Sequence, residues 1–156
     1  LGFIYEIFEK KIKLYFLQKK EHIAYMEWQN LIKKNYENRD YASLYVKFLI
    51  ENFSEEKAIY FLKEYINNFP DFFEFYSQLI ILIFKSNLEE TKNYIMIVMK
   101  NDKFSLNEKI SILEDFINLQ EEDIDKNFIE NCKKILLKLY PNIKSKKIIN
   151  EKINKI

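Results

Sequence analysis

Glycine, proline, cysteine and histidine are all scarce in this sequence, which contains one, two, one and one of them among 156 residues. Because Gly2 is the only glycine, the chain has no glycine-rich loop of the kind that binds phosphate in P-loop and dinucleotide-binding proteins. The scarcity also leaves too few turn residues for a β-sandwich, a barrel or an α/β sheet. Composition alone therefore favours an all-helical fold.

The single cysteine and the single histidine limit the chemistry that the chain can support. Cys132 has no partner for an internal disulfide or a cysteine-rich zinc site, which is typical of a reducing compartment, and it falls on an apolar helical stripe, where thiols are inert core groups. Any catalytic triad or two-histidine metal site would depend on His22, which we expect to be a surface or capping residue. We therefore predict no enzymatic activity, no cofactor and no metal.

Charge and hydropathy give little indication of a polyanionic or membrane partner. The formal charge is +1, so the chain lacks a broad basic bias, and any RNA contact is expected to be indirect or weak. The longest apolar run, residues 79–84, is far shorter than the roughly 18 residues of a membrane span, and no membrane partner is predicted. The chain begins with Leu1 in the middle of an apolar pattern, which suggests a fragment of a longer protein.

Aromatic residues are abundant, with 14 Phe and 11 Tyr. They could form a base-stacking platform, but single-strand binders interleave aromatic with basic residues, whereas these clusters follow the spacing of helical cores. We expect an aromatic core. Trp28 has two interpretations, a core residue or an anchor for a protein partner, because tryptophan is enriched at the centres of interfaces.

The apolar pattern of a pair of amphipathic helices occurs twice in the middle of the chain. The first-helix stripe is Tyr41, Leu44, Tyr45, Phe48 and Leu49, and 31 residues later it recurs as Phe72, Phe75, Tyr76, Leu79 and Ile80. The second-helix stripe is Ala58, Phe61, Leu62, Tyr65 and Ile66, and it recurs as Thr91, Ile95, Val98 and Met99. Two helices per repeating unit predict an α-solenoid.

Capping residues place the helix starts. Asp71 with Glu74, Asn87 with Glu90 and Ser105 with Glu108 have the spacing of capping boxes, and Asp40 is a candidate N-cap. The first helix, to about residue 19, is apolar on two sides and is expected to be covered on both. The full prediction is an all-α fold, an α-solenoid of about four antiparallel hairpins over residues 1–141, with a basic amphipathic C-terminal helix over 142–156.

The C-terminal segment differs in charge, with five lysines against Glu151. Ile149, Ile153 and Ile156 fall at i, i+4 and i+7, and Lys146 and Lys147 lie away from this stripe. This helix could cover the end of its own last hairpin or pack on a second copy, and its lysines would then meet acidic groups. Those groups are Glu121, Glu122 and Asp125. A solvated basic end is the remaining alternative.

The spacing and content of the repeats resemble a known class. Hairpins about 34 residues apart, with Glu-Glu opening the second helices and bulky residues such as Tyr45, Tyr76 and Trp28 inside, resemble half-a-TPR (HAT) repeats of RNA-processing scaffolds. The order of motifs from Asp40-Tyr-Ala-Ser-Leu-Tyr through Asn87-Leu-Glu-Glu to Ile112-Leu-Glu-Asp-Phe116 is similar to the last repeats of the pre-mRNA-processing factor thirty-nine family. The similarity covers roughly residues 1–139.

The resemblance implies a non-enzymatic scaffold in a nuclear pre-mRNA splicing snRNP. Its partners would be other protein subunits of that complex, and it would form a homodimer or a heterodimer with a paralogous HAT protein. The candidate interaction residues are Trp28, Ile149, Ile153, Ile156, Lys146 and Lys147. A general α-helical interaction module unrelated to RNA processing is the alternative.

Overall fold

The computed structural model describes residues 2–120 and 125–153, and the side chains from residue 5 onward. These residues form nine α-helices and no β-strand, so the predicted all-helical fold is confirmed for the described part of the chain. The helices are α1 Gly2–Leu17, α2 Glu21–Lys34, α3 Arg39–Asn52, α4 Glu55–Asn68, α5 Phe73–Ile83, α6 Leu88–Lys100, α7 Leu106–Leu119, α8 Lys126–Leu139 and α9 Ile143–Ile153.

The chain divides into two compact units, Leu1–Ala58 and Ile59–Ile156, with the division inside α4. In the first unit α2 packs against both α1 and α3. Trp28 of α2 lies at the centre, with its ring 4.9 Å from Phe8, 5.7 Å from Tyr45 and 5.3 Å from Phe48 between centroids. These rings form the aromatic core that the composition predicts for this part of the chain.

In the second unit the helices alternate in their contacts. α5 packs against α7 and α7 against α9, while α6 packs against α8. Helices that are consecutive in the sequence also pack together: α5 contacts α6, α6 contacts α7, and α8 contacts α9. α5, α6 and α7 therefore each contact the helix two places further along the chain.

The burial pattern agrees with the repeated stripes. Tyr45, Phe48 and Leu49 are buried, as are their counterparts Tyr76, Leu79 and Ile80. The second-helix positions are buried in the same way in both copies: Ala58, Leu62, Tyr65 and Ile66 in α4, and Thr91, Ile95, Val98 and Met99 in α6. Phe61 is buried as well. The 3.6-residue period thus identified the inward faces of these helices correctly.

Two of the three predicted capping boxes place their helix starts correctly. At α7 the Ser105 hydroxyl accepts from the Glu108 N–H at 3.3 Å, and the Glu108 carboxylate accepts from the Ser105 N–H at 2.7 Å. At α6 the Asn87 side chain accepts from the Glu90 N–H at 3.0 Å. Both caps satisfy an amide that has no partner inside its helix.

The predicted capping box of Asp71 and Glu74 is wrong. α5 begins at Phe73, and its N-cap, Phe72, makes no side-chain cap hydrogen bond. The rings of Phe69 and Phe72 stack with centroids 5.4 Å apart and planes 6° from parallel. This contact holds the chain after Pro70 in a turn, so the helix starts later than the side-chain pattern indicates.

Other boundaries shift by a few residues. Asn38, rather than Asp40, caps α3, because its side chain accepts from the N–H groups of Asp40 and Tyr41. Asp125 caps α8 by accepting from the Phe128 N–H at 3.0 Å. The predicted start of that helix at residue 123 lies outside the described residues. α1 ends at Leu17, and the chain then turns through Lys19, whose φ is 55°.

The expectation that α1 is covered on both sides is wrong for this chain. Ile12 on its inner stripe is buried, but Ile7 and Leu14 on the outer side are 52% and 54% exposed. Leu17 at the end of the helix is 81% exposed. The helix therefore packs by one face and leaves an apolar strip open.

Candidate interaction surfaces

A groove of about 370 Å³ lies within the first unit, between α1 and α3, with Trp28 of α2 among its lining residues. We call it the Trp28 groove. Its apolar lining is Tyr5, Ile12, Phe16, Trp28, Leu44 and Phe48, and its polar lining is Glu9, Lys13, Lys47, Glu51 and Asn52. The combination of aromatic walls and a charged rim is the usual make-up of a site for an apolar group carried by a polar chain.

Trp28 itself is only 3% exposed, and its indole Nε1 has no hydrogen-bond partner among the residues that the structure describes. An indole N–H normally finds an acceptor when it is buried, because leaving it without one costs the free energy of removing it from water. Burial fits the core interpretation of Trp28, which the sequence left open beside the anchor interpretation. The indole N–H is thus a polar group in this cluster, together with the hydroxyl groups of Tyr5 and Tyr45.

The charges at the rim of the Trp28 groove pair along their own helices. Lys13 contacts Glu9 at 3.0 Å on α1, and Lys47 contacts Glu51 at 3.7 Å on α3. All four side chains are substantially exposed, so these i,i+4 pairs contribute little to stability. A charged group of an incoming chain can therefore replace either partner of these ion pairs with little loss of stability.

At the other end of the chain, α9 packs on α7 and α8 through the stripe that the sequence identified. Ile149 is fully buried and Ile153 is 4% exposed. Ile156, the third residue of the predicted stripe, lies outside the described residues. Of the two arrangements considered for this helix, the structure has the one in which it covers its own last helices.

The lysines of α9 differ in their surroundings. Lys146 is exposed, Lys147 contacts Glu151 of its own helix at 3.7 Å, and Lys152 contacts Glu114 of α7 at 3.0 Å. The predicted acidic partner Asp125 contacts Lys92 of α6 instead, at 2.8 Å. Glu121 and Glu122 lie outside the described residues.

The Lys92 contact also explains the electrostatics of Asp125. The Lys92 ammonium, followed by the Phe128 N–H, holds the pKa of the Asp125 carboxyl below its usual range. Asp125 is therefore committed to capping α8 and to the α6 contact, and it is not available to the lysines of α9.

The residues considered for catalysis are not arranged for it. His22 is exposed at the start of α2. Cys132 is fully buried, with its Sγ 4.0 Å from the Met96 Sδ, and burial raises the pKa of this thiol to about 12. Within residues 2–120 and 125–153, no three His, Cys, Asp or Glu side chains come together as a metal site would require.

A buried lysine was missed by the sequence analysis. Lys109 of α7 is 1% exposed, and its ammonium lies 5.4 Å from the centre of the Tyr140 ring. Burial lowers the pKa of Lys109, against the opposing effect of Asp102 and Glu108. The repeat could have shown this, because Lys109 stands 34 residues after Phe75, a core position of α5.

No helix in the described part of the chain is both long and apolar enough to cross a lipid bilayer. No family model matches the sequence, no curated protein is similar to it, and no solved structure resembles it.

Proposed function

We propose that the chain is a non-enzymatic α-solenoid that acts as a scaffold for other proteins. The observation that carries this proposal is the order of contacts in the second unit, where α5, α7 and α9 follow one another and α6 is followed by α8. Stacked helical pairs of this kind present continuous faces, which solenoid proteins use to bind protein partners. About four hairpins followed by α9 account for the nine helices described.

Two hydrogen bonds from a side chain to a distant backbone carbonyl support the same architecture. The Asn101 amide donates to the Pro70 carbonyl at 3.2 Å, and the Tyr140 hydroxyl donates to the Phe104 carbonyl at 3.2 Å. The members of these pairs are 31 and 36 residues apart. Each bond joins the segment before a helical pair to the segment after it, across α5 and α6 in the first case and across α7 and α8 in the second.

The Trp28 groove is our candidate for the protein-binding site. Its aromatic walls can take an apolar side chain, and its polar rim can hydrogen-bond the backbone of the chain that carries that side chain. The partner that fits is therefore a peptide segment with an apolar side chain. Tryptophan and tyrosine at a pocket are also the residue types that dominate binding energy at interfaces.

The resemblance to HAT repeats leads us to place this scaffold in a nuclear pre-mRNA splicing snRNP, as a homodimer or a heterodimer with a paralogous HAT protein. Because Ile149 and Ile153 are buried within the chain, we assign dimerisation to a surface other than the α9 stripe. The exposed strip of α1, with Ile7 and Leu14, is such a surface.

Affinity purification followed by identification of the bound RNA tests the RNA-processing assignment. A scaffold of a splicing snRNP recovers a small nuclear RNA together with a fixed set of proteins. Recovery of proteins without small nuclear RNA would contradict this assignment and support the second candidate, a general helical interaction module.

A further inference from the structure

Positive charge is concentrated in the last two helices. Residues 126–153 contain eight lysines and only two acidic residues, Glu130 and Glu151, whereas acidic residues outnumber basic ones over 1–125. The formal charge of +1 for the whole chain therefore conceals a strong separation of charge. The positive charge of residues 142–156 is evident from the sequence, whereas the lysines of α8 alternate with apolar and acidic residues.

Five of these lysines are exposed and make no ion pair with any described residue. They are Lys126, Lys134 and Lys138 of α8 and Lys144 and Lys146 of α9, and we call them the basic face. The other three are engaged: Lys133 with Glu130, Lys147 with Glu151 and Lys152 with Glu114. The charge of the basic face is thus not compensated within the described part of the molecule.

On α8 the lysines of the basic face share one side of the helix with Glu130, which lies four residues after Lys126 and contacts Lys133 at 3.7 Å. Lys126, Lys134 and Lys138 are spaced i, i+8 and i+12, which places them within about one-third of the helix circumference and along about 18 Å of its length. α9 packs against α8. On α9, Lys146 lies about 120° around the helix from Lys152, which contacts Glu114 of α7, and about 160° from Lys144.

The composition of this face indicates what it binds. The apolar residues of the two helices point inward, and only Leu139 and Ile143, at the connection, are large apolar side chains that are exposed, so there is no apolar stripe for a membrane surface. Residues 125–153 contain no arginine, and their aromatics, Phe128 and Tyr140, are half-buried. Lysine alone is depleted at protein interfaces but contacts phosphate readily as a point charge.

We propose that the basic face binds the phosphate backbone of double-stranded nucleic acid without sequence preference. Exposed aromatics for stacking on unpaired bases are lacking among the described residues of α8 and α9, which favours a duplex over a single strand. This inference goes beyond the scaffold function and does not depend on it, because it rests on the charges of α8 and α9 alone.

Fluorescence anisotropy of a labelled 20-base-pair RNA duplex, titrated with the full chain from 50 to 200 mM NaCl, tests the proposal. Five lysine–phosphate contacts give a slope of log affinity against log salt of about −4.5, a loss of several hundredfold over this range. The variant with Lys134→Gln, Lys138→Gln, Lys144→Gln and Lys146→Gln should bind at least tenfold more weakly at 50 mM, with a slope near −1.

The matched control replaces four exposed lysines elsewhere, Lys10→Gln, Lys33→Gln, Lys34→Gln and Lys100→Gln, and changes the net charge equally. It should retain the wild-type affinity and slope, and circular dichroism should show both variants folded. Equal weakening by the control, tighter binding of a single strand, or no duplex binding would overturn the proposal. Binding of phosphatidylserine vesicles in place of the duplex would also overturn it and assign the face to lipid.

Discussion

At the residue scale, the large aromatic side chains determine stability. Tyr76 is 2% exposed and packs edge-on against Phe104, with ring centroids 5.5 Å apart, and against Tyr94 at 6.4 Å. Removing such a ring loses its transfer free energy and leaves a cavity that the close-packed interior does not fill. Truncating a core aromatic should therefore lower the free energy of unfolding more than truncating other residues of this chain.

We predict that Tyr76→Ala lowers the free energy of unfolding by about 3 to 5 kcal/mol. The matched control is Tyr60→Ala, because Tyr60 is 67% exposed and its truncation should change stability by about 0.5 kcal/mol or less. Urea titration followed by circular dichroism measures both. A loss below about 1 kcal/mol for Tyr76→Ala would show that the ring is not in the core.

The burial of Lys109 predicts how the stability of the chain depends on pH. The pKa of Lys109 is lowered by burial, so between the lowered value and 10.5 the unfolded chain binds the proton more readily and stability rises with pH. Lys109→Met, which keeps the length of the side chain without the charge, should therefore be more stable than the wild type at pH 7. This advantage should shrink as the pH approaches 10.

The measurement is urea unfolding of both proteins at pH 7.0 and 9.5, with Lys103→Met, at an exposed lysine, as the control. The comparison between variants cancels the tyrosines whose pKa burial raises, such as Tyr76 and Tyr94. An advantage of Lys109→Met that grows with pH would contradict the buried-cation account.

At the element scale, helix starts depend on how side-chain caps compete with packing. The Ser105 cap forms, and the Ser105 hydroxyl and the Glu108 carboxylate each accept a hydrogen bond from the backbone N–H of the other residue. The Asp71 cap does not form, because the Phe69–Phe72 stack sets the backbone before α5. A pattern of local polar residues predicts the first case and cannot detect the second, since stacking depends on two rings three residues apart with a proline between them.

Ser105→Ala should cost about 1 kcal/mol of stability, the usual effect of losing an N-cap. Asp71→Ala, the corresponding change at the cap that does not form, should cost only a few tenths of that. Thermal unfolding monitored at the helical signal distinguishes the two. Equal losses would mean that Asp71 caps α5 after all.

α9 is the element whose role the structure changes most. Periodicity identified Ile149 and Ile153 as inward residues of this helix, but it describes only one helix and says nothing about which surface they meet. Burial of Ile149 and Ile153 against α7 and α8 answers this for the described residues. The Trp28 groove was missed for a related reason, because a groove is a property of the space between helices.

Deleting residues 142–156 should lower the free energy of unfolding by about 3 to 6 kcal/mol, since burying an isoleucine contributes about 1.5 to 3 kcal/mol and two are removed. The control, Lys146→Gln with Lys147→Gln, should leave stability within about 0.5 kcal/mol. Urea titration measures the free energy of unfolding of the full-length and the deleted chain, and light scattering measures their molecular mass. Equal stability of the deleted and full-length chains would show that α9 covers nothing.

At the scale of the whole molecule, local repetition predicted more than any single motif did. Composition and two matched stripes were enough for an all-helical fold and for most core positions, because each repeat reuses the same spacing. Net charge was misleading, since the basic residues of α8 and α9 are offset by acidic residues elsewhere in the chain. A single sequence contains no comparable pattern that identifies binding partners, so the scaffold function has to be tested by measuring binding.

Quantitative affinity purification with groove variants tests the scaffold function most directly. Leu44→Arg places a charged side chain in the Trp28 groove, and Met26→Arg places the same side chain at a 57% exposed position of α2 outside it. With both variants shown to be folded, we predict that the wild type and Met26→Arg recover the same proteins and that Leu44→Arg loses them at least tenfold. Equal recovery by all three, or no reproducible partner for the wild type, would contradict the account.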